Sequence, residues 1–404
     1  MQSILTSAHV QHHTATLLRT ELGLQDYGNR CRVLTLLAVV FAACCRLCSL
    51  SAAGRGLRHV PCRETVRKAL HHNLPGLGEL ERRLNRALVA ELPRRLRKRR
   101  QRLAIDLVLL PSHGQPHRQA DEIYRGQVTS GTTHFQAYAS VYLVLRGQRF
   151  TLALTYVRQG EKLEKVLKRL LRRCAAAGVR PSLLLLDRGF WSVGVIRYLQ
   201  AARYPFLRPV IARGRQPDHP KGASSTRVFW SWRQSGFDRY TLQETGQGRT
   251  ATVSICVHVR HRAGRRGKHG REHLVYAYWG WQPPASPHAV SQRYRRRFGI
   301  ESSYRQLNEA RPRTCPRSPA VRLFLVGVAL LLRNVWVWLH HEVLSSPRRG
   351  RRRDNPERLR FQELLLMLLH EAERLLGTRD ALGTERPVPI ELGATGPPGA
   401  RCNY

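Results

Sequence analysis

The sequence predicts an α/β protein: a mixed sheet with helices on its faces, preceded by a helical region and interrupted by an antiparallel β insertion. Three observations carry this. Ser182–Phe190, SLLLLDRGF, is an unbroken apolar run that ends in a carboxylate and a glycine, the pattern of a strand buried on both faces. The segment before it alternates apolar and polar residues in hairpin fashion. Amphipathic helical stretches separate the later strands, as crossover connections do.

Residues 1–100 read as helices. VLTLLAVVFAACCRLCSL is a strongly apolar helix, and the stretch Cys31–Cys48 carries Arg32 and Arg46 near its ends. SAAGRGLRHVP is a loop with Gly54 and Gly56. CRETVRKALHH follows, with Thr65, Val66, Ala69 and Leu70 on one stripe and Arg63, Arg67 and Lys68 opposite. Helix, glycine turn and basic helix are compatible with a helix-turn-helix, and equally with any small α-domain. A further helix covers Leu77–Leu92, Pro93 breaks it, and RRLRKRRQR is a basic linker. Cys45, Cys48, His59 and Cys62 have the residue types of a zinc site. The cysteines up to Cys48 lie in a continuous apolar helix, which favours buried thiols.

From Leu103 the period changes. LAIDLVLLP is a strand with Asp106 in its middle, HFQAYASVYLVLR a second, and RFTLALTYVR a third that pairs back across the turn Arg146-Gly147-Gln148. Lys162–Ala177 is a helix with Leu163, Val166, Leu167, Leu170 and Leu171 at helical spacing. The Asp187 strand, a helix over Val193–Ala202 and the strand PFLRPVIAR follow. Residues 213–285 hold short alternating strands, RVFWSWR, RYTLQET, TATVSICVHVR and HLVYAYWG, with a basic loop at Gly264–Gly270; they read as an insertion outside the main sheet. Ser291–Asn308 is a polar helix with a basic face, and Leu323–His341 an apolar helix. Arg348–Arg353 is a basic turn, Leu359–Leu376 a last amphipathic helix, and the Pro- and Gly-rich end beyond it is expected to be disordered.

Charge is the strongest compositional signal. Of 404 residues, 69 are Lys or Arg and 27 Asp or Glu, a formal net charge of +42. Such an excess repels itself in a compact chain and is balanced most simply by a polyanion, nucleic acid first. A GC-rich genome that favours arginine gives the same bias. The nine cysteines read as reduced thiols. No basic segment leading into an apolar run opens the chain, so a cytoplasmic protein is expected. The apolar stretches are short or interrupted, by Arg333 and Asn334 in the second, so buried helices and no membrane association are expected.

Two acids lie on the strands, Asp106 within the first and Asp187 at the end of the fourth. Asp187, at the mouth of a buried strand, fits a turn cap or a ligand for a hard divalent cation, and Asp106 is the matching acid on the first strand. Glu301 is the third: Tyr294, Arg297, Glu301, Tyr304 and Asn308 follow helical steps of three and four, so they share a face. Alone, that face reads as solvated with an Arg297–Glu301 pair. Three acids on two strands and a helix have the oxygen ligands for two divalent ions, which activate a nucleophile and stabilise a leaving oxygen.

IDLVLLPSHG, LLLLDRGF, the β-rich stretch and YRRRFGIESSYRQLNEARPRT together resemble the DDE transposases of bacterial and archaeal insertion sequences. The branch it resembles carries a β insertion and the signature Tyr, two residues, Arg, three residues, Glu, six residues, Lys. Tyr294, Arg297 and Glu301 fit; Asn308 stands at the lysine position, and Val108 follows the first Asp where a hydroxyl or small residue is common. The resemblance spans roughly Leu103–Val343. It implies an RNase H-like fold with Asp106, Asp187 and Glu301 as catalytic ligands of two Mg²⁺, replaceable by Mn²⁺. It implies cut-and-paste cleavage and strand transfer at inverted-repeat ends, on double-stranded DNA that serves as transposon end and target. A homodimeric synaptic complex and a prokaryotic, nucleoid-associated protein follow. Tyr294, Arg297, Tyr304, Asn308 and Arg188 are the expected DNA contacts. Trp230 or Trp232, with Trp279 and Trp281 as rivals, would stack on a flipped base, though tryptophans in alternating strands are more often core. The division expected is a helical DNA-binding domain 1–100, a catalytic domain in two parts, 101–212 and 287–345, around an insertion 213–286, a C-terminal helix 346–377 and a tail 378–404. A nuclease without strand transfer and an inactive DNA-binding relative remain the alternatives.

Overall fold

The computed structural model describes residues 4–145, 149–244, 246, 248–261, 270–314, 316–345 and 356–379. The turn 146–148, most of the basic loop 264–270, the basic turn 348–353 and the tail from 380 fall outside these residues.

Six helices open the chain: α1 (Ser7–Leu22), α2 (Val33–Cys45), α3 (Leu50–Arg55), α4 (Arg63–Asn73), α5 (Leu77–Ala90) and α6 (Arg94–Lys98). The mixed region then runs β1 (Gln101–Pro111), β2 (Tyr124–Thr129), β3 (Thr132–Leu143), β4 (Thr151–Val157), α7 (Leu163–Ala176), β5 (Pro181–Leu186), α8 (Val193–Ala201) and β6 (Phe206–Pro209). Next come β7 (Gly236–Gln243), β8 (Thr250–His261) and β9 (Arg271–Trp279), then α9 (Pro287–Arg295), α10 (Gly299–Ala310), α11 (Pro319–Trp338) and α12 (Phe361–Leu376).

The strands form one sheet in the order β2-β3-β1-β5-β6-β9-β8-β7, with β4 also on β3. β3 is antiparallel to β1, and β5 and β6 are parallel to it through the crossovers α7 and α8. α7 earns its place by its stripe: Val166, Leu167, Leu170, Leu171 and Cys174 are buried against the sheet.

Two expectations are corrected here. The insertion is not separate from the main sheet. β9 pairs antiparallel with β6, Phe206 opposite Trp279 and Pro209 opposite Tyr276, so β7–β9 extend the sheet. Left bare, the β6 edge would present unpaired N–H and C=O groups, and β9 satisfies them. RVFWSWR is not a strand: Arg227–Trp230 belong to a 3-10 turn, Ser225–Trp230. The Thr226 hydroxyl donates to the Ile211 carbonyl at 2.7 Å and accepts from the Arg213 N–H at 2.8 Å, which folds the segment back on the chain, while Phe229 fills the core.

The opening helices share their core with the end of the chain. One apolar cluster joins α1, α2, α4 and α5 to α11, α12 and residues of β1, β3 and β4. Asn85 on α5 exchanges hydrogen bonds with Leu154 of β4, donating at 2.8 Å and accepting at 2.9 Å. Asn334 on α11 accepts from the Thr151 N–H at 2.9 Å and donates to the carbonyls of Leu88 and Thr151 at 2.9 and 2.8 Å. The helix Pro319–Val343 is long and apolar enough to cross a membrane, but its apolar window is 89% buried inside the protein, so it serves as a core helix.

Asn334→Ala should destabilise the protein by about 3 kcal/mol, because it leaves a buried N–H and two carbonyls unsatisfied. Urea denaturation measures the loss.

Candidate active site

Strand register brings the first two acids together. β1 and β5 are parallel, with Ile105 opposite Leu186, so the next residues, Asp106 and Asp187, stand side by side. Asp187 is held by its turn: its Oδ2 accepts from the Gly189 N–H at 3.4 Å, which caps the 3-10 turn Arg188–Phe190. The cap reading of Asp187 is thus met, and its other oxygen, Oδ1, lies 3.2 Å from Arg297 Nη2. Asp106 pairs across the sheet with Ser140. The Ser140 hydroxyl bonds Tyr304 Oη at 2.9 Å, and Tyr304 Oη donates to the Asp106 carbonyl at 3.1 Å.

The third acid arrives on a broken helix. The single helix expected over Ser291–Asn308 is two, α9 and α10, joined by a 3-10 turn at Arg296–Phe298. Arg297 sits in that joint, and its side chain is only 7% exposed. Its Nη1 donates to Asp106 Oδ2 at 2.8 Å, and its Nη2 lies 3.2 Å from Asp187 Oδ1 and 3.7 Å from Glu301 Oε1. One guanidinium thus gathers all three predicted acids. Among the described residues no three acidic, histidine or cysteine side chains close on one point as a metal site. The space between these three is filled by the guanidinium.

The other predicted residues divide. Tyr294 is buried; its hydroxyl donates to the Leu186 carbonyl at 3.1 Å, fixing the residue before Asp187. Tyr304 is half-buried beneath Asp106. Arg188 and Asn308 are exposed. Trp230 and Trp232 pack partly against the core, with Trp232 edge-on to Phe229 at 5.9 Å. Trp281 packs on the core beside Tyr278; Trp279 packs partly against the core and also lines an open groove with Arg197, Gln200 and Arg239.

No spacing pattern pointed to Arg208. It lies in β6, is fully buried, and donates from Nη2 to the Arg188 carbonyl at 2.8 Å, with its guanidinium 4.8 Å from the Trp191 ring centre. Burial lowers its pKa to about 9, so it stays charged at neutral pH. It supports the turn that carries Asp187 from beneath. A lone arginine inside the apolar strand PFLRPV was the signal available.

Burial also pushes the Asp106 carboxyl up to about 6; Arg297 opposes the shift and Asp187 adds to it. For Arg297 burial works against the charge, but Tyr294, Asp106 and Asp187 outweigh it and raise the pKa. Burial raises the Tyr294 and Tyr304 hydroxyls as well, so both stay protonated donors.

A family model described as a transposase DDE domain matches residues 97–334, more than half of the chain. The chain belongs to the DDE transposases. It is a metal-dependent DNA transposase, and the mixed sheet with flanking helices is the RNase H-like core of the family. No curated protein matches. Among solved structures it is similar to the piggyBac transposase in a cryo-EM synaptic complex with hairpin DNA. The TM-score is 0.51 and the identity 11%, over 96% of this chain and 86% of that one, so this likeness is one of fold.

The Asp106 shift sets a stability slope in metal-free protein. The folded state holds the proton up to about 6 against 3.8 for an ordinary Asp, so the contribution is complete below 3.8 and lost as pH rises through 6. Asp106→Asn should flatten that slope. Denaturation in a chelating buffer across pH 4–7 checks it.

Proposed function

We propose that this transposase cleaves DNA at the inverted-repeat ends of its own element and transfers the freed strand to a target duplex, with Asp106, Asp187 and Glu301 as the catalytic carboxylates. The observation that carries the reading is the convergence of all three on one cation. The donor set suits a hard divalent ion: every ligand atom is a carboxylate oxygen, two on adjacent strands, within β1 and just past the end of β5, and one on a crossing helix. The raised Asp106 pKa reflects burial of the carboxyl, which Arg297 only partly offsets.

Two Mg²⁺, or Mn²⁺ in their place, would be held by these three residues and would supply an activated hydroxyl nucleophile and a stabilised leaving oxygen. The chain's own groups do the positioning. Tyr304 and Ser140 hold the β1 backbone at Asp106, the Leu107 N–H donates to Asp106 Oδ1 at 2.9 Å, and Tyr294 and Gly189 hold β5 and its turn at Asp187. These contacts fix two carboxylates before substrate arrives, so little reorganisation remains for the chemical step.

The exposed residues Arg188, Arg295, Arg296 and Asn308 lie on the turn and helices that carry the acids and suit contacts to the DNA backbone. The basic face of α4 and the linker after α5 suit binding outside the cleft, as part of a DNA-binding region over residues 1–100. Trp279, beside Arg197 and Arg239 in an open groove, is the tryptophan best placed to meet an unpaired base. A homodimer that synapses two ends completes the reading.

Asp106→Asn, Asp187→Asn and Glu301→Gln should each lower metal-dependent cleavage on the order of 10³-fold or more while retaining DNA affinity. A nicking assay on a duplex carrying the element's terminal repeats, paired with a gel-shift measurement, tests this. Full cleavage by the Glu301 variant would remove that residue from the site.

A further inference from the structure

We infer that Arg297 is a built-in rival of the divalent ion: in the DNA-free protein it holds the place between the three acids, and metal loads only as the guanidinium leaves for a DNA phosphate. This rests on the three-acid reading above. The distances of 2.8, 3.2 and 3.7 Å put the guanidinium within ion-pair reach of every carboxylate that would bind metal. A guanidinium and a divalent cation a few ångströms apart repel each other, so the two do not share the position.

Its resting place is also imperfect. Nε is buried with no hydrogen-bond partner, so the guanidinium leaves one donor unspent while it sits on the acids. Arg297 lies in the 3-10 joint between α9 and α10, not inside a continuous helix. The Tyr294 and Phe298 rings lie 5.5 and 5.8 Å from it, and Phe298 is 46% exposed, so the path from the acids leads past an aromatic edge toward solvent. Arg295 and Arg296 are exposed on the same segment and draw a polyanion to that mouth. A phosphate offers the planar guanidinium a two-bond partner and frees the carboxylates in the same step.

The consequence is reciprocal coupling. DNA tightens metal binding and metal tightens DNA binding, because each removes the competitor of the other. The metal site then stays closed in protein that has not found DNA.

The test is Mn²⁺ titration of the full chain by calorimetry, with and without a short duplex whose own Mn²⁺ uptake is subtracted. An opposite charge at this distance shifts a carboxylate equilibrium roughly 10- to 1000-fold. Arg297→Gln should therefore bind Mn²⁺ roughly tenfold or more tightly than wild type without DNA. DNA should tighten Mn²⁺ binding by wild type and add little in the variant. Arg297→Lys, which keeps the charge, should stay closer to wild type and excludes misfolding as the cause. Mn²⁺ binding by Arg297→Gln equal to or weaker than wild type without DNA would overturn the proposal. Asp187→Ala separates the two readings: loss of Mn²⁺ binding in that variant upholds the three-acid site, and retained binding removes that site and the rivalry with it.

Discussion

The contact between one guanidinium and three carboxylates is the constraint on which the rest depends. Three acids on two adjacent strands and a helix repel each other, and Asp106 loses hydration where the helices close over it. Arg297 offsets that cost in protein without metal, and the raised Asp106 pKa shows that it does so incompletely. A site this negative, in a chain with a formal charge of +42, has electrostatic reason to gather cations inside and polyanions outside.

The fold's main task is to hold that geometry. Parallel pairing of β1 and β5 places Asp106 beside Asp187 without help from loops. Tyr294 then pins the end of β5 and Tyr304 the middle of β1 through backbone carbonyls, and Arg208 pins the following turn from below. The large helical layer serves the same end indirectly. Asn334 and Asn85 tie α11 and α5 to β4. The edge of the sheet is braced by side-chain amides as well as by apolar packing.

Much of this was legible in the sequence. Four leucines running into Asp187 specify a buried strand with an acid at its mouth, and the helical stripe of α7 specifies the crossover that makes β5 parallel to β1. Tyr294, Arg297 and Glu301 were legible as a set, but not the break between them. Steps of three and four describe a continuous helix, whereas a joint at Arg296–Phe298 turns Arg297 onto the acids. The place of the insertion was hidden because edge pairing between β6 and β9 is a backbone event with no side-chain signature. RVFWSWR misled because alternation also suits a turn whose hydroxyl is tied elsewhere, as Thr226 is to Ile211. The shared core of α1–α5 with α11 and α12 joins segments far apart in sequence, and local pattern does not report such contacts.

The most direct measurement is a crystal structure of the full chain with Mn²⁺ and a terminal-repeat duplex, the ions located by anomalous scattering. The account predicts Mn²⁺ among the Asp106, Asp187 and Glu301 carboxylates, with the Arg297 guanidinium withdrawn from all three onto a phosphate. Mn²⁺ bound by other residues, or bound there with Arg297 still bridging the acids, would contradict it.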